Sequence, residues 1–287
     1  MYSSRRTGFL CVIYASESRT DLVSRILSHV TTGVLQAHHF IDTPYNRTGI
    51  YLVSTNSSLL CNAALRICQE AFSIIDFRSH KGSHPALGAV DHCCLSPLGE
   101  LTDELLQETV ELGLEFGQRL NNQEGIDIYY YSAASARGST LRSIRKDLIY
   151  FSKFTSIKDS TLILPDIISD IRHQKTKGIT CVGVAPMIIN FNIRMTTLSS
   201  INKKLVSQIT SLLRVPGAVE ALTLHWGAQL EIACNLLSPL AEHCPSTVLA
   251  KAMSLATERG LVIETSYTTG PSENELLDNL LPHHGSI

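Results

Sequence analysis

Strand-type and helix-type apolar patterns run along this chain in the order β-α-β-β-α-β, and the order occurs twice. That constrains the fold more than any single motif does. Residues 8–14 read as a strand, and Ser18 to Val30 as a helix with Leu22, Val23, Ile26, Leu27 and Val30 on one face. Val34 to Ile41 and Gly49 to Ser54 read as strands joined by the turn-rich Thr43-Pro44-Tyr45-Asn46-Arg47. A helix over Ser57 to Ile75 and a strand from Leu87 to Leu95 complete the first unit. A helix, Thr102 to Leu120, and a strand, Ile126 to Ser132, are added to it; Thr102 supplies a cap, and Glu104 and Glu108 lie near the helix's positive end.

The second half repeats the order without visible sequence identity to the first. A strand lies within Ile179 to Ile193, followed by a helix at Ser199 to Leu213. Strands at Ala218 to His225 and Ala228 to Leu236 flank Trp226-Gly227. A helix at Pro245 to Arg259, a strand at Leu261 to Thr265 and a short helix near Glu273 to Leu280 finish the chain. A polar joint, residues 137–177, carries a helix over Thr140 to Tyr150 and a Pro165-Asp166 turn. The expected class is therefore α+β: two ferredoxin-like (βαββαβ) subdomains, 1–177 and 178–287. Each is a mixed or antiparallel sheet with helices on one face, and a ligand cleft lies between them.

The chemistry is concentrated in residues 78–91, Arg-Ser-His-Lys-Gly-Ser-His-Pro-Ala-Leu-Gly-Ala-Val-Asp. A surface loop uses glycine and proline, but it does not need proton-transfer groups on both sides of them. Pro85 disfavours the helical region for His84, which places the imidazole on extended chain at a bend. His80 and His84 are four apart, but Gly82 and Pro85 break the helix that an H-x-x-x-H metal pair requires, so no metal site is expected.

Charge and cysteine usage exclude several classes. With 24 basic and 26 acidic residues there is no basic stripe of the kind that binds nucleic acid. No apolar run reaches the ~18–20 residues that span a bilayer. Met1 to Thr7 is basic and Gly8 to Tyr14 apolar, but no small-residue cleavage site follows, so a first strand is expected rather than a signal peptide. The eight cysteines form no C-x-x-C pair and sit in apolar patterns, which points to a reducing compartment, most simply the cytoplasm.

The segment His80-Lys81-Gly82-Ser83-His84-Pro85-Ala86-Leu87-Gly88-Ala89-Val90-Asp91 resembles the formiminotransferase domain signature H-K-G-E-H-P-R-M-G-A-L-D, with eight of twelve positions identical. Asn46-Arg47-Thr48 is similar to that family's S-T-N-R-T turn. Gly178-Ile179-Thr180, Asn190-Phe191-Asn192-Ile193 and Cys234-Asn235-Leu236-Leu237 resemble later motifs in the same order. The resemblance runs from about residue 9 to residue 270. Two segments depart from the pattern. The family's P-N-F-S-E-G reads Ile13-Tyr14-Ala15-Ser16-Glu17-Ser18 here. Its largely neutral folate-contacting stretch falls at Ser169 to Gly178, where Arg172, His173, Lys175 and Lys177 stand, either as polyglutamate contacts or as a solvated linker. Both departures are similar to those of divergent, plant-type relatives.

The resemblance implies two α/β subdomains and transfer of a formimino or formyl group between N-formiminoglutamate and N5 of tetrahydrofolate. His84 would be the catalytic acid and base. It implies a homodimer, small-molecule substrates and no cyclodeaminase domain. The residues it marks as substrate- or folate-binding are Asn46, Arg47, His80, Lys81, Asp91, Gly178 and Asn192. Arg47, His80 and Lys81 suit glutamate carboxylates. Asp91 orients His84, contacts the pterin, or only closes the loop. The alternative reading is a non-catalytic folate-binding or scaffold protein on the same fold.

Overall fold

The computed structural model describes residues 7–148, 163–169, 174–196, 203–237 and 241–280. The described elements are β1 (Thr7–Ala15), α1 (Thr20–Leu27), β2 (Leu35–Asp42), β3 (Arg47–Ser54), α2 (Ser57–Ile74), β4 (Val90–Gly99), α3 (Asp103–Glu124), β5 (Ile128–Ser132), α4 (Leu141–Asp147), α5 (Gln174–Lys177) and β6 (Thr180–Val184). After them come β7 (Ile189–Met195), α6 (Lys203–Leu213), β8 (Val219–Trp226), β9 (Gln229–Leu236), α7 (Pro245–Thr257), β10 (Ile263–Thr268) and α8 (Glu273–Asn279). They form two compact units. One runs through Ala185 and takes back α8; the other is Pro186–Ser272.

Both sheets contain the ferredoxin-like strand order. In the first it is β2-β3-β1-β4, extended by β6 and β5; in the second it is β10-β7-β9-β8. In each, the first strand of its unit lies between the third and the fourth, antiparallel to both. β1 is central, so both its faces are buried and its sequence is an unbroken apolar run. Phe9, Cys11 and Ile13 face the core beneath α1, α2 and α3, which holds Leu60, Ile67, Phe72, Phe116 and Leu120. Helix ends follow their capping residues: Asn56 accepts from the Leu59 amide, Thr102 from that of Leu105, and α3 stops at left-handed Gly125.

Four expectations change. The span 179–193, expected to contain one strand, contains the whole of one and most of a second. Thr180–Val184 is fully buried between β4 and β5, parallel to both, while β7 belongs to the other sheet. Pro186, which has no N–H to give a ladder, lies in the break. The boundary expected at 177/178 therefore falls at 185/186. Helices also cover both faces of the first sheet. α4 packs through Ile144, with Leu148 after it, on Tyr129, Tyr131 and Cys181, the face opposite α3. Finally, the strand expected at Leu87 begins at Val90, because the chain before it is committed to the histidine loop. The ends of the helices expected at 140–150 and 199–213 fall partly outside the described residues, as do Arg172 and His173.

Candidate active site

A turn and a loop bring the predicted residues of the first unit together. Asn46 closes the β2–β3 turn at φ 49, a left-handed conformation that asparagine tolerates better than most residues. Arg47, the first residue of β3, then points to the α4 face of the sheet. There its guanidinium lies 4.3 Å over the Tyr14 ring, with Nη1 3.2 Å from Asp91 Oδ2 and 2.9 Å from His84 Nδ1. His84 sits at the bend before Pro85, half-buried, its ring edge-on to Tyr45.

Asp91 is the centre of this cluster. It is 1% exposed, and its Oδ1 accepts from the Leu87 amide at 2.9 Å, which closes the loop onto itself. Its Oδ2 takes Arg145 at 2.8 Å besides Arg47, and His92 Nδ1 lies 3.1 Å away. Burial alone would raise the Asp91 pKa. Arg145, the His92 ring and Arg47 outweigh it and hold the carboxyl well below the usual range. His92 is stacked on Tyr14 at 4.3 Å, and burial first, with Arg145 and Arg47 adding, pushes it down to about 3 against the pull of Asp91. Burial, Arg47 and Arg145 likewise push His84 well below its ordinary value. His84 is therefore a neutral imidazole near pH 7. Nδ1 faces two partners, the Pro85 carbonyl at 2.7 Å, which can only accept, and Arg47 Nη1 at 2.9 Å, which can only donate, so the two contacts call for opposite tautomers of the neutral ring.

Three other predicted residues lie around a neighbouring cavity of about 240 Å³, lined by Ser16, Glu17, Arg19, Asn46, His80 and Lys81 among others. His80 Nδ1 meets the Ser16 carbonyl at 3.2 Å, its ring stacks on Phe77, and its buried Nε2 has no partner among the described residues. Asn46 Nδ2 is 3.3 Å from His80 Nδ1, and Asn46 Oδ1 accepts from Ser18 Oγ. Glu17 is locked by Arg19 and two backbone amides. The Lys81 side chain is exposed and, among the described residues, makes no ion pair.

Gly178 has a backbone role. At φ 73 it bridges to Gly88, and a Cβ there would land on the Leu87 carbonyl oxygen and the Gly88 backbone. Gly178→Ala should lower the urea unfolding free energy by about 1–3 kcal/mol through strain alone, and the clash adds to it. Equilibrium urea melts check this. Asn192 lies in the second unit, where it donates to the Tyr267 hydroxyl at 3.4 Å. Lys177 pairs with Glu124 at 2.8 Å, which makes it a structural ion pair.

Sequence reasoning missed three members. Tyr14 reads as one more residue of a buried strand. His92 follows Asp91 directly, but strand alternation sets neighbouring side chains on opposite faces, so adjacency carried no signal. Arg145 lies in a polar joint, in a short helix fixed by a Thr140–Ser143 capping box, with nothing local to tie it to Asp91.

A family model described as the formiminotransferase domain, N-terminal subdomain, matches residues 8–185. That range ends where the first structural unit ends. The chain belongs to the formiminotransferase domain family. It is 28% identical over 293 residues to the "Formiminotransferase cyclodeaminase-like protein" of Arabidopsis thaliana, covering 94% of this chain and 95% of that protein. It is 30% identical over 170 residues to the "Glutamate formimidoyltransferase" of Streptococcus pyogenes serotype M1, covering 58% of this chain and 54% of that protein. For the protein of the same name from Thermoplasma acidophilum the match is 29% over 207 residues, 69% of this chain and 66% of that protein. The matched stretch thus spans just over half to two thirds of the two proteins named for the transfer. Among the described residues of this formiminotransferase domain protein no disulfide bond joins the eight cysteines. Among the described residues no helix is long and apolar enough to cross a membrane.

Proposed function

We propose that this chain transfers a formimino group between N-formiminoglutamate and N5 of tetrahydrofolate, with His84 as the proton carrier. The observation that carries the reading is a neutral imidazole, held at Nδ1 between the Pro85 carbonyl and Arg47, in the first unit of a formiminotransferase domain protein. The N5 nitrogen attacks the formimino carbon and forms an N5–C bond. The lone pair of the neutral His84 ring takes the N5 proton as the tetrahedral intermediate forms. The resulting imidazolium returns that proton to the glutamate nitrogen as its C–N bond breaks. The products are 5-formiminotetrahydrofolate and glutamate, and the histidine is restored. Positioned proton transfer of this kind contributes about 10²–10⁴-fold.

The cavity beside the cluster suits a glutamate carboxylate, with the uncommitted Lys81 ammonium at its rim and His80 inside. Arg47 does not reach outward; Asp91 and His84 hold it in the cluster. Lys81→Ala should raise KM for formiminoglutamate roughly two- to fivefold and leave kcat unchanged, because an exposed ion pair stabilises ground and transition states alike. Steady-state kinetics with formiminoglutamate varied at saturating tetrahydrofolate make the test.

The overall reading is tested by mixing the purified chain with tetrahydrofolate and formiminoglutamate and following 5-formiminotetrahydrofolate. Turnover supports it. Formylglutamate used in preference identifies formyl as the group moved. Folate binding with neither donor used would make the chain a non-catalytic folate-binding protein.

A further inference from the structure

Arg145 approaches the histidine cluster from outside both motifs that define it. It comes from the last turn of α4, a helix docked by Ile144 on Tyr129, Tyr131 and Cys181 and capped at its start by Thr140 and Ser143. Its Nη2 lies 2.8 Å from Asp91 Oδ2 and 3.1 Å from His92 Nδ1, on a side chain only 14% exposed. Arg47 reaches the same Oδ2 with Nη1 alone, at 3.2 Å, and that nitrogen also stands 2.9 Å from His84 Nδ1. Its Nη2 is turned to His92 at 3.4 Å. Arginine ordinarily grips a carboxylate with two nitrogens. Here Oδ1 is held by the Leu87 amide and Oδ2 is shared with Arg145, so Arg47 binds through one nitrogen and straddles carboxylate and imidazole.

We propose that Arg145 is a positioning residue for His84: by occupying Asp91 it fixes where Arg47 stands against the imidazole. Without it, Arg47 forks onto Asp91 and Nη1 swings off the ring. The docking of α4 would thereby set the environment of a histidine some sixty residues earlier in the chain. The inference rests on the reading of His84 as proton carrier only for its catalytic meaning; the geometry is independent of turnover. The charged and titratable groups around His84 are Arg47 from β3, Arg145 from α4, Asp91 and His92 from the head of β4, and Tyr45 from the turn before β3. With Arg145 removed and Arg47 displaced, two cations retreat from the ring while Asp91 stays, so the imidazole protonates more readily.

The test is a pH titration of the histidine side chains by long-range ¹H–¹⁵N NMR on the full chain, with His84 assigned by its loss in His84→Gln. Arg145→Gln should raise the His84 midpoint by about one unit or more. The rise should largely vanish in an Asp91→Asn background, since the relay runs through that carboxylate. Arg137→Gln, which cuts α4's neighbourhood loose from Asp166 and the 164–165 carbonyls, should leave the midpoint in place. An unchanged midpoint in folded Arg145→Gln overturns the proposal. So does an equal rise with and without Asp91, or an equal rise in Arg137→Gln. If Arg145→Gln does not fold, Arg145→Lys carries the same cycle. Lysine keeps the charge but not the fork, and a rise dependent on Asp91 is expected; its absence is fatal. Loss of turnover in His84→Gln with no such cycle would remove Arg145 from the scheme and leave the transferase reading standing.

Discussion

Replacing His84 with glutamine should slow formimino transfer by about 10²–10⁴-fold while the fold is retained, the range that positioned proton transfer supplies. The side chain is half-buried and anchored at Nδ1 by the Pro85 carbonyl. Glutamine keeps a polar group there but cannot take a proton at N5 and return it. Single-turnover formation of 5-formiminotetrahydrofolate measures the chemical step apart from product release. The pH dependence gives a second handle. Burial, Arg47 and Arg145 disfavour the protonated ring, so the base form persists below the ordinary histidine pKa. The acid limb of kcat/KM should therefore lie below pH ~6.5, the unperturbed value. A wild-type rate in His84→Gln would remove the residue from the mechanism; an acid limb at the unperturbed value would show that the two arginines do not act on the ring.

Asp91→Asn should lower the unfolding free energy by about 3–5 kcal/mol, the usual loss when one partner of a buried ion pair is removed. The substitution strands Arg47 and Arg145, both nearly buried, without their counter-charge. Against a typical stability of about 5–15 kcal/mol this is a large fraction. The cluster also sets the acid sensitivity of the wild-type chain. His92 has a folded pKa of about 3 and an unfolded value near 6.5. Above the unfolded value neither state is protonated. As pH falls below it, the unfolded chain binds a proton that the folded chain refuses, so stability drops by up to about 1.4 kcal/mol per pH unit until the folded pKa is reached. His84 adds in the same direction. Asp91 works over a lower window. Its folded pKa is depressed, so its contribution is complete above the unfolded carboxylate value near 3.9 and is lost as pH falls through the folded one. Urea unfolding at pH 7, 5.5 and 4 should show a falling stability that His92→Gln flattens in the upper window. A flat wild-type profile would mean that His92 is not buried neutral.

Much of the fold was legible because its signals are local. Periodicity identified both βαββαβ series, and the caps at Asn56 and Thr102 begin helices close to where their chemistry requires. What was not legible depended on partners far along the chain. Within 179–193 one strand is expected and two are found, because a buried parallel strand and the start of the next differ only in which sheet receives them. The site followed the same rule. The loop around His84 is written contiguously, and Asp91 does close it through the Leu87 amide. Arg47, which chemistry suggested as a carboxylate holder, is instead held inside by Asp91, and that pairing cannot be read from the turn it sits in.

The sequence by itself determined the two-unit α+β order, the concentration of proton-transfer groups in residues 78–91, and the bend at which His84 stands, since proline beside histidine and the periods of strands and helices are properties of neighbours. The tertiary structure decided what those groups face. It set His84 among Arg47, Asp91, His92 and Arg145, and it turned Asn46, His80 and Lys81 to a separate cavity. The reason is physical. Charge and burial fall off with distance in space, and the groups that set the state of His84 come from a strand before it, a strand after it and a helix in the joint.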